Sequence, residues 1–180
     1  MFLRKSRIEP LPVTMSAVRM GERVLQVGVD DPAVATAIAA KAGLSGNAAM
    51  AVVSDRDAAR ANHAFSNAGI LVDVQVAPLE TLPFASDTFD LVVVHAARGV
   101  TSSLDASGRR SSMLEWLRVL RHGGRVMTIE GAPVTGVAAM FKTPRPPEGD
   151  VVAALEAAGF RPARVLAERE GYRFAEGIKS

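Results

Sequence analysis

The chain has 180 residues, a formal net charge of +2 and 48% hydrophobic residues, enough apolar mass for one domain with a proper core. It has no cysteine, which excludes disulfides, thiolate metal sites and a cysteine nucleophile. Its basic residues fall in small scattered groups and no apolar run approaches the ~20 residues of a membrane span, so neither a nucleic-acid partner nor a membrane span is expected.

Residues 1–20 contain Pro10 and Pro12 and show no clear period. They are predicted to form an N-terminal arm lying against a domain formed by 21–180. Met1 to Arg7 carries charge but leads into no apolar segment, so it is not a secretory signal, and a cytoplasmic protein is expected. Residues 23–28 read as a buried strand bounded by Gly21 and Gly28. Asp31-Pro32 then offers an N-cap followed by proline at the first helical position, and an Ala-rich helix runs over 32–42 to Gly43. A second apolar strand covers 47–54, a helix 57–68 stops at Gly69, and 71–76 alternates as a strand near a sheet edge.

Residues 90–96 are apolar nearly throughout, which predicts a strand covered on both faces. A helix over 109–121 places Met113, Trp116, Leu117 and Leu120 on one side and is expected to end at Gly123-Gly124. A strand over 125–130 leads into a Gly- and Pro-containing stretch, 131–150, read as loop with a helical turn at 137–141. A helix over 151–158 stops at Gly159, and strands 161–168 and 172–178 meet at Glu170-Gly171, a hairpin turn. Alternating strands and helices predict an α/β fold, a Rossmann-like three-layer α/β/α sandwich with a mostly parallel sheet. The closing hairpin inserts one antiparallel strand.

Three segments carry a resemblance. Leu82-Pro83-Phe84 leads through a polar turn into Phe89-Asp90-Leu91-Val92-Val93; Glu115-Trp116-Leu117-Arg118-Val119-Leu120-Arg121-His122-Gly123-Gly124 follows; and Ala157-Ala158-Gly159-Phe160 precedes the sixth strand. In this order and spacing they resemble the class I S-adenosylmethionine (SAM) dependent methyltransferases of the type 11 kind, over about residues 20–180. The resemblance implies a seven-stranded sheet with its last strand antiparallel, SAM as cofactor and methyl transfer as activity. It places Gly28 and Asp30 in the cofactor turn after the first strand. Asp55 takes the ribose-binding carboxylate position, and Leu79 an apolar wall and backbone N–H for adenine. Against the family pattern, Gln26 stands where an acid is usual, Asp30 and Pro32 where glycines are usual, and Pro78 where an acid precedes the Leu-Pro-Phe hook. Asp31 already offers to cap the following helix, so an anion site at that turn is partly self-occupied. Asp55 or Asp57 has a second reading as a plain helix cap.

Methyl transfer needs orientation and, for some nucleophiles, a general base. His95, at the end of the fourth strand, is the histidine placed to face the cleft; its other reading is a strand-end histidine hydrogen-bonded to a loop. His63 is read as a surface residue and His122 as a cation at a helix C-terminus. The three show no metal-ligand spacing, so no metal is expected. The acceptor is expected to contact Arg98, Gly99, Val100 and Thr101 and the 131–147 loop, where Val137 to Phe141 form an apolar patch beside Lys142 and Arg145. That patch reads as lid, dimer contact, lipid- or protein-facing surface, or core packing. Two functions compete: a SAM-dependent methyltransferase acting on an unidentified small-molecule or lipid-like acceptor, and a catalytically inactive methyltransferase-like module that binds or assembles with a protein partner or a second copy.

Overall fold

The computed structural model describes residues 9–43, 47–101, 103–131 and 150–180. Its elements are α1 (Leu11–Met15), β1 (Arg23–Val27), α2 (Pro32–Ala42), β2 (Asn47–Val52), α3 (Asp55–Ala68), β3 (Asp73–Val76), β4 (Phe89–Ala96), α4 (Ala106–Val119), β5 (Leu120–Gly131), α5 (Val151–Ala158), β6 (Phe160–Arg169) and β7 (Tyr172–Lys179). The expected turn at 137–141, with its apolar patch, lies outside the described residues.

One sheet runs in the order β3-β2-β1-β4-β5-β7-β6. From β3 to β5 neighbours pair in parallel, and β7 inserts antiparallel between β5 and β6. Strand period decides which layer each side chain enters. Leu25, Val27, Val92, Val94 and Val126 meet Met113, Trp116 and Leu155 of α4 and α5. Their neighbours Val24, Leu91, Val93 and Met127 meet Val13 of α1 and Val34 and Ile38 of α2. Ala61 and Phe65 of α3 pack with Met50 and Val52 on the β2 side. The α/β/α sandwich with seven strands and an antiparallel last strand is therefore the observed fold. Each buried Val or Leu in β4 is worth about 1.5–3 kcal/mol, which makes this strand the spine of both layers.

Three local expectations need correction. The 9–20 segment is not all irregular arm: the five-residue α1 forms there and buries Pro12 and Val13. Helix α3 starts at Asp55, because Ser54 supplies the cap by accepting the Asp57 N–H; neither Asp55 nor Asp57 is the N-cap. Helix α4 ends at Val119, and Gly123-Gly124 lies inside β5. A Cβ on Gly124 would stand 2.8 Å from the Arg121 carbonyl and 3.1 Å from that of Phe89, so this glycine serves a close backbone approach at a β4–β5 irregularity.

The Leu-Pro-Phe hook is held by α4. Glu115 accepts the Leu82 N–H at 2.7 Å, while Arg118 donates to the carbonyls of Leu82 (3.0 Å) and Phe84 (2.8 Å). The two side chains, three residues apart on one helix face, also pair with each other at 2.7 Å. Arg118, with help from the Leu82 N–H, holds Glu115 below the usual carboxylate range. This explains in physical terms why a Glu-x-x-Arg helix accompanies that hook: one carboxylate and one guanidinium fork clamp an irregular chain by its backbone.

Candidate functional site

The strand order reverses between β1 and β4, and the crevice at their carboxyl ends is where open α/β sheets take ligands. Gly28 forms its floor. It has φ +75° and donates its N–H to the Ala51 carbonyl at 2.8 Å. A Cβ there would meet Val100 Cγ2 at 3.1 Å and the His95 carbonyl at 3.2 Å, so only glycine fits. The next residues are held by the chain itself. Asp30 Oδ1 accepts the Arg98 N–H at 3.1 Å, tying the turn after β1 to the turn after β4. Asp31 caps α2 by accepting the Ala33 N–H at 2.8 Å.

Around this floor is a cleft of about 230 Å³, with Asp30, Asp57, Arg60, Arg98 and Val100 among its described lining residues. Of the residues expected to bind a cofactor, the structure brings Gly28 and Asp30 together here. Asp55 is exposed at the first turn of α3 and does not line the cleft. Leu79 is buried in the core with Leu82, Phe89 and Trp116. Asp57 and Arg60, one turn apart and paired at 3.0 Å, stand in the cleft wall. Sequence reading treated Asp57 only as a cap and passed over Arg60. The i, i+3 spacing of an acid and a base in the first turns after β2 was the available signal.

His95 lies beneath the cleft floor. Gln26 donates its Nε2 hydrogen to the Ala35 carbonyl at 2.9 Å, which turns its Oε1 toward His95. The imidazole Nε2–H therefore donates to that oxygen at 2.8 Å. His95 is 2% exposed and Gln26 fully buried. Burial pushes the imidazole down to about 4, against a smaller upward pull from Asp31, so it is neutral at pH 7. The pair is an uncharged bridge from β4 through β1 to α2. A glutamine suits it better than an acid, since the amide supplies both a donor to Ala35 and an acceptor to His95.

The fold agrees with the comparisons. The family model for the methyltransferase domain matches residues 25–128, more than half of the chain. The chain belongs to the methyltransferase domain family. This methyltransferase domain is 38% identical over 74 residues to the ubiquinone/menaquinone biosynthesis C-methyltransferase UbiE of Geotalea daltonii, covering 41% of the chain and 25% of that relative. It is 28% identical over 123 residues to the same enzyme of Cupriavidus taiwanensis, covering 68% of the chain and 48% of the relative. The matched part thus spans at most about half the length of these relatives. In fold it resembles a SAM-dependent methyltransferase from Aquifex aeolicus, with a TM-score of 0.76 at 18% identity over 93% of this chain and 87% of that one. It also resembles the [4+2]-cyclase SpnF, with a TM-score of 0.67 at 16% identity over 94% and 78%.

The cleft's donor set fits the polar ends of SAM. Two carboxylates, Asp30 and Asp57, suit an ammonium or a ribose diol. Two guanidinium groups, Arg60 and Arg98, suit a carboxylate, and Gly28 permits close backbone approach. The volume is below the ~300–1,000 Å³ of sites that enclose a whole drug-sized ligand, so a molecule of this size would stay partly exposed.

Proposed function

We propose that this methyltransferase domain binds SAM in the Gly28 cleft and transfers its methyl group to a small, apolar, lipid-like acceptor. The observation that carries this reading is the polar set around Gly28 at the switch point: paired acids and bases on a glycine floor. Bound SAM supplies a methyl group on a sulfonium sulfur, an electrophile that needs placement more than activation. The chain supplies that placement. Arg98 and Arg60 hold a carboxylate, and Asp57, rather than Asp55, meets the ribose side. His95 acts through Gln26 as a positioning residue that keeps the β1 turn in place, because its ring is sealed from the cleft. The relatives' printed role in quinone biosynthesis supports an aromatic, lipid-like acceptor methylated at carbon. Among the described residues no helix is long and apolar enough to cross a membrane; a cytoplasmic setting is part of this proposal.

A second reading, an inactive binding module, is favoured by one specific feature. Val100 packs on Gly28 and Asp30 is tied to the Arg98 N–H, so the chain's own groups crowd the floor. The SpnF fold likeness shows that a neighbour named for another activity shares this architecture. Incubation with methyl-labelled SAM and chemically reduced 1,4-naphthoquinone separates the two. Label in a C-methylated ring product, abolished by Arg98→Ala, is the expected result; no label transfer to this or other electron-rich rings by protein that binds SAM favours the module.

A further inference from the structure

A second cavity, of about 310 Å³, lies between α4, α5 and the sheet face that carries Val94 and Thr128. It shares no described lining residue with the Gly28 cleft. The turn after β4 stands between them, with Arg98, Gly99 and Val100 on the cleft side and Thr101 on this one. Part of its wall is apolar, with Val94, Met113 and Ala154, while exposed Arg110 and Asp150 and half-buried Arg109 and Glu130 put two charged residues of each sign in its lining.

Two polar atoms of its lining side chains are buried without a hydrogen-bond partner among the described residues: Trp116 Nε1 from the helix layer and Thr128 Oγ1 from the sheet layer. Both residues are 2% exposed. Folded proteins pair nearly all such atoms, so two orphans in the walls of one cavity call for a cause. An indole N–H only donates, and a hydroxyl donates as readily as it accepts. An oxygen with free lone pairs is the partner that suits each. The two arginines and two acids of the lining balance, which gives no net preference for an ion of either sign.

We propose that this cavity binds a neutral, ring-sized apolar molecule through a hydrogen-bond-accepting oxygen, with Trp116 and Thr128 as its donors. As the acceptor pocket of a methyltransferase, this deepens the function proposed above and rests on it; as a binding site it stands without SAM.

Trp116 is the single tryptophan of the chain, so intrinsic fluorescence reports directly from the cavity wall. The experiment titrates the full chain, without SAM, with 1-tetralone and with its oxygen-free counterpart tetralin, by fluorescence and by calorimetry. The ketone is expected to shift Trp116 emission and to bind at least about tenfold tighter than tetralin, the worth of one or two good hydrogen bonds. Thr128→Val, close to isosteric, is expected to weaken the ketone about tenfold and tetralin less than twofold. Equal binding of the two, or none by either up to their solubility limits, overturns the proposal. SAM binding without tetralone binding overturns this inference and leaves the proposed function standing. Tetralone binding without SAM binding does the reverse.

Discussion

Gly28→Ala is expected to lower the unfolding free energy by about 3 kcal/mol and to abolish SAM binding. Two effects combine. An alanine at φ +75° pays about 1–2 kcal/mol for the left-handed backbone. Its methyl group must then sit 3.1–3.3 Å from Val100 side-chain carbons and 3.2 Å from the His95 carbonyl, an overpacking worth about 1–3 kcal/mol. The carbonyl belongs to a central strand and cannot retreat; Val100 Cγ2, the nearest of these atoms, can be removed. A second substitution, Val100→Ala, is therefore expected to recover about 1 kcal/mol of the loss, leaving the backbone, carbonyl and Val100 Cβ contributions in place. Urea unfolding of the four proteins of this cycle measures both numbers. Additive effects would show that the Gly28–Val100 contact does not set the shape of the floor.

The second large effect is on acid stability. His95 is neutral in the fold, its imidazole pushed down to about 4 from near 6.5. As pH falls below 6.5 the unfolded chain takes up a proton that the folded chain does not, so protonation favours unfolding. The stabilisation is complete above pH 6.5 and is lost between about 6.5 and 4, where it amounts to about 3 kcal/mol. His95→Asn keeps a donor for Gln26 and removes the titration. Unfolding free energies at pH 7, 6, 5 and 4.5 are expected to fall more steeply for the native chain than for this variant. Parallel curves would mean that the imidazole takes its proton as easily in the fold as outside it, contrary to a sealed Gln26–His95 pair.

What could be read from residues alone was what local chemistry decides. Helices α2 and α5 have the predicted bounds because Asp31-Pro32 and Gly43, and Gly159, start and stop them within a few bonds. The start of α3 was misplaced because Ser54, Asp55 and Asp57 all offer a cap, and the choice depends on where β2 stops pairing. Gly123-Gly124 looked like a helix stop because its actual reason, a carbonyl 2.8 Å from the missing Cβ of Gly124, comes from a strand irregularity. Helix α1 is five residues long, too short to show a period. At the site, Gly28 was legible as a glycine closing a strand. The contacts that define its surroundings were not: Asp30 meets Arg98 and Gln26 meets His95 across 68 and 69 residues of chain. Only strand order brings those pairs together. Gln26 therefore read as a lost acid, whereas in the fold it joins β1, β4 and α2.

The central claim is that the Gly28 cleft holds SAM, and calorimetric titration of the folded, extensively dialysed protein with SAM and with S-adenosylhomocysteine tests it most directly. Micromolar binding, about −8 kcal/mol, weakened at least tenfold by Asp57→Asn and less than twofold by Asp55→Asn, is the predicted result. No heat with either ligand from protein shown to be folded and ligand-free would contradict it.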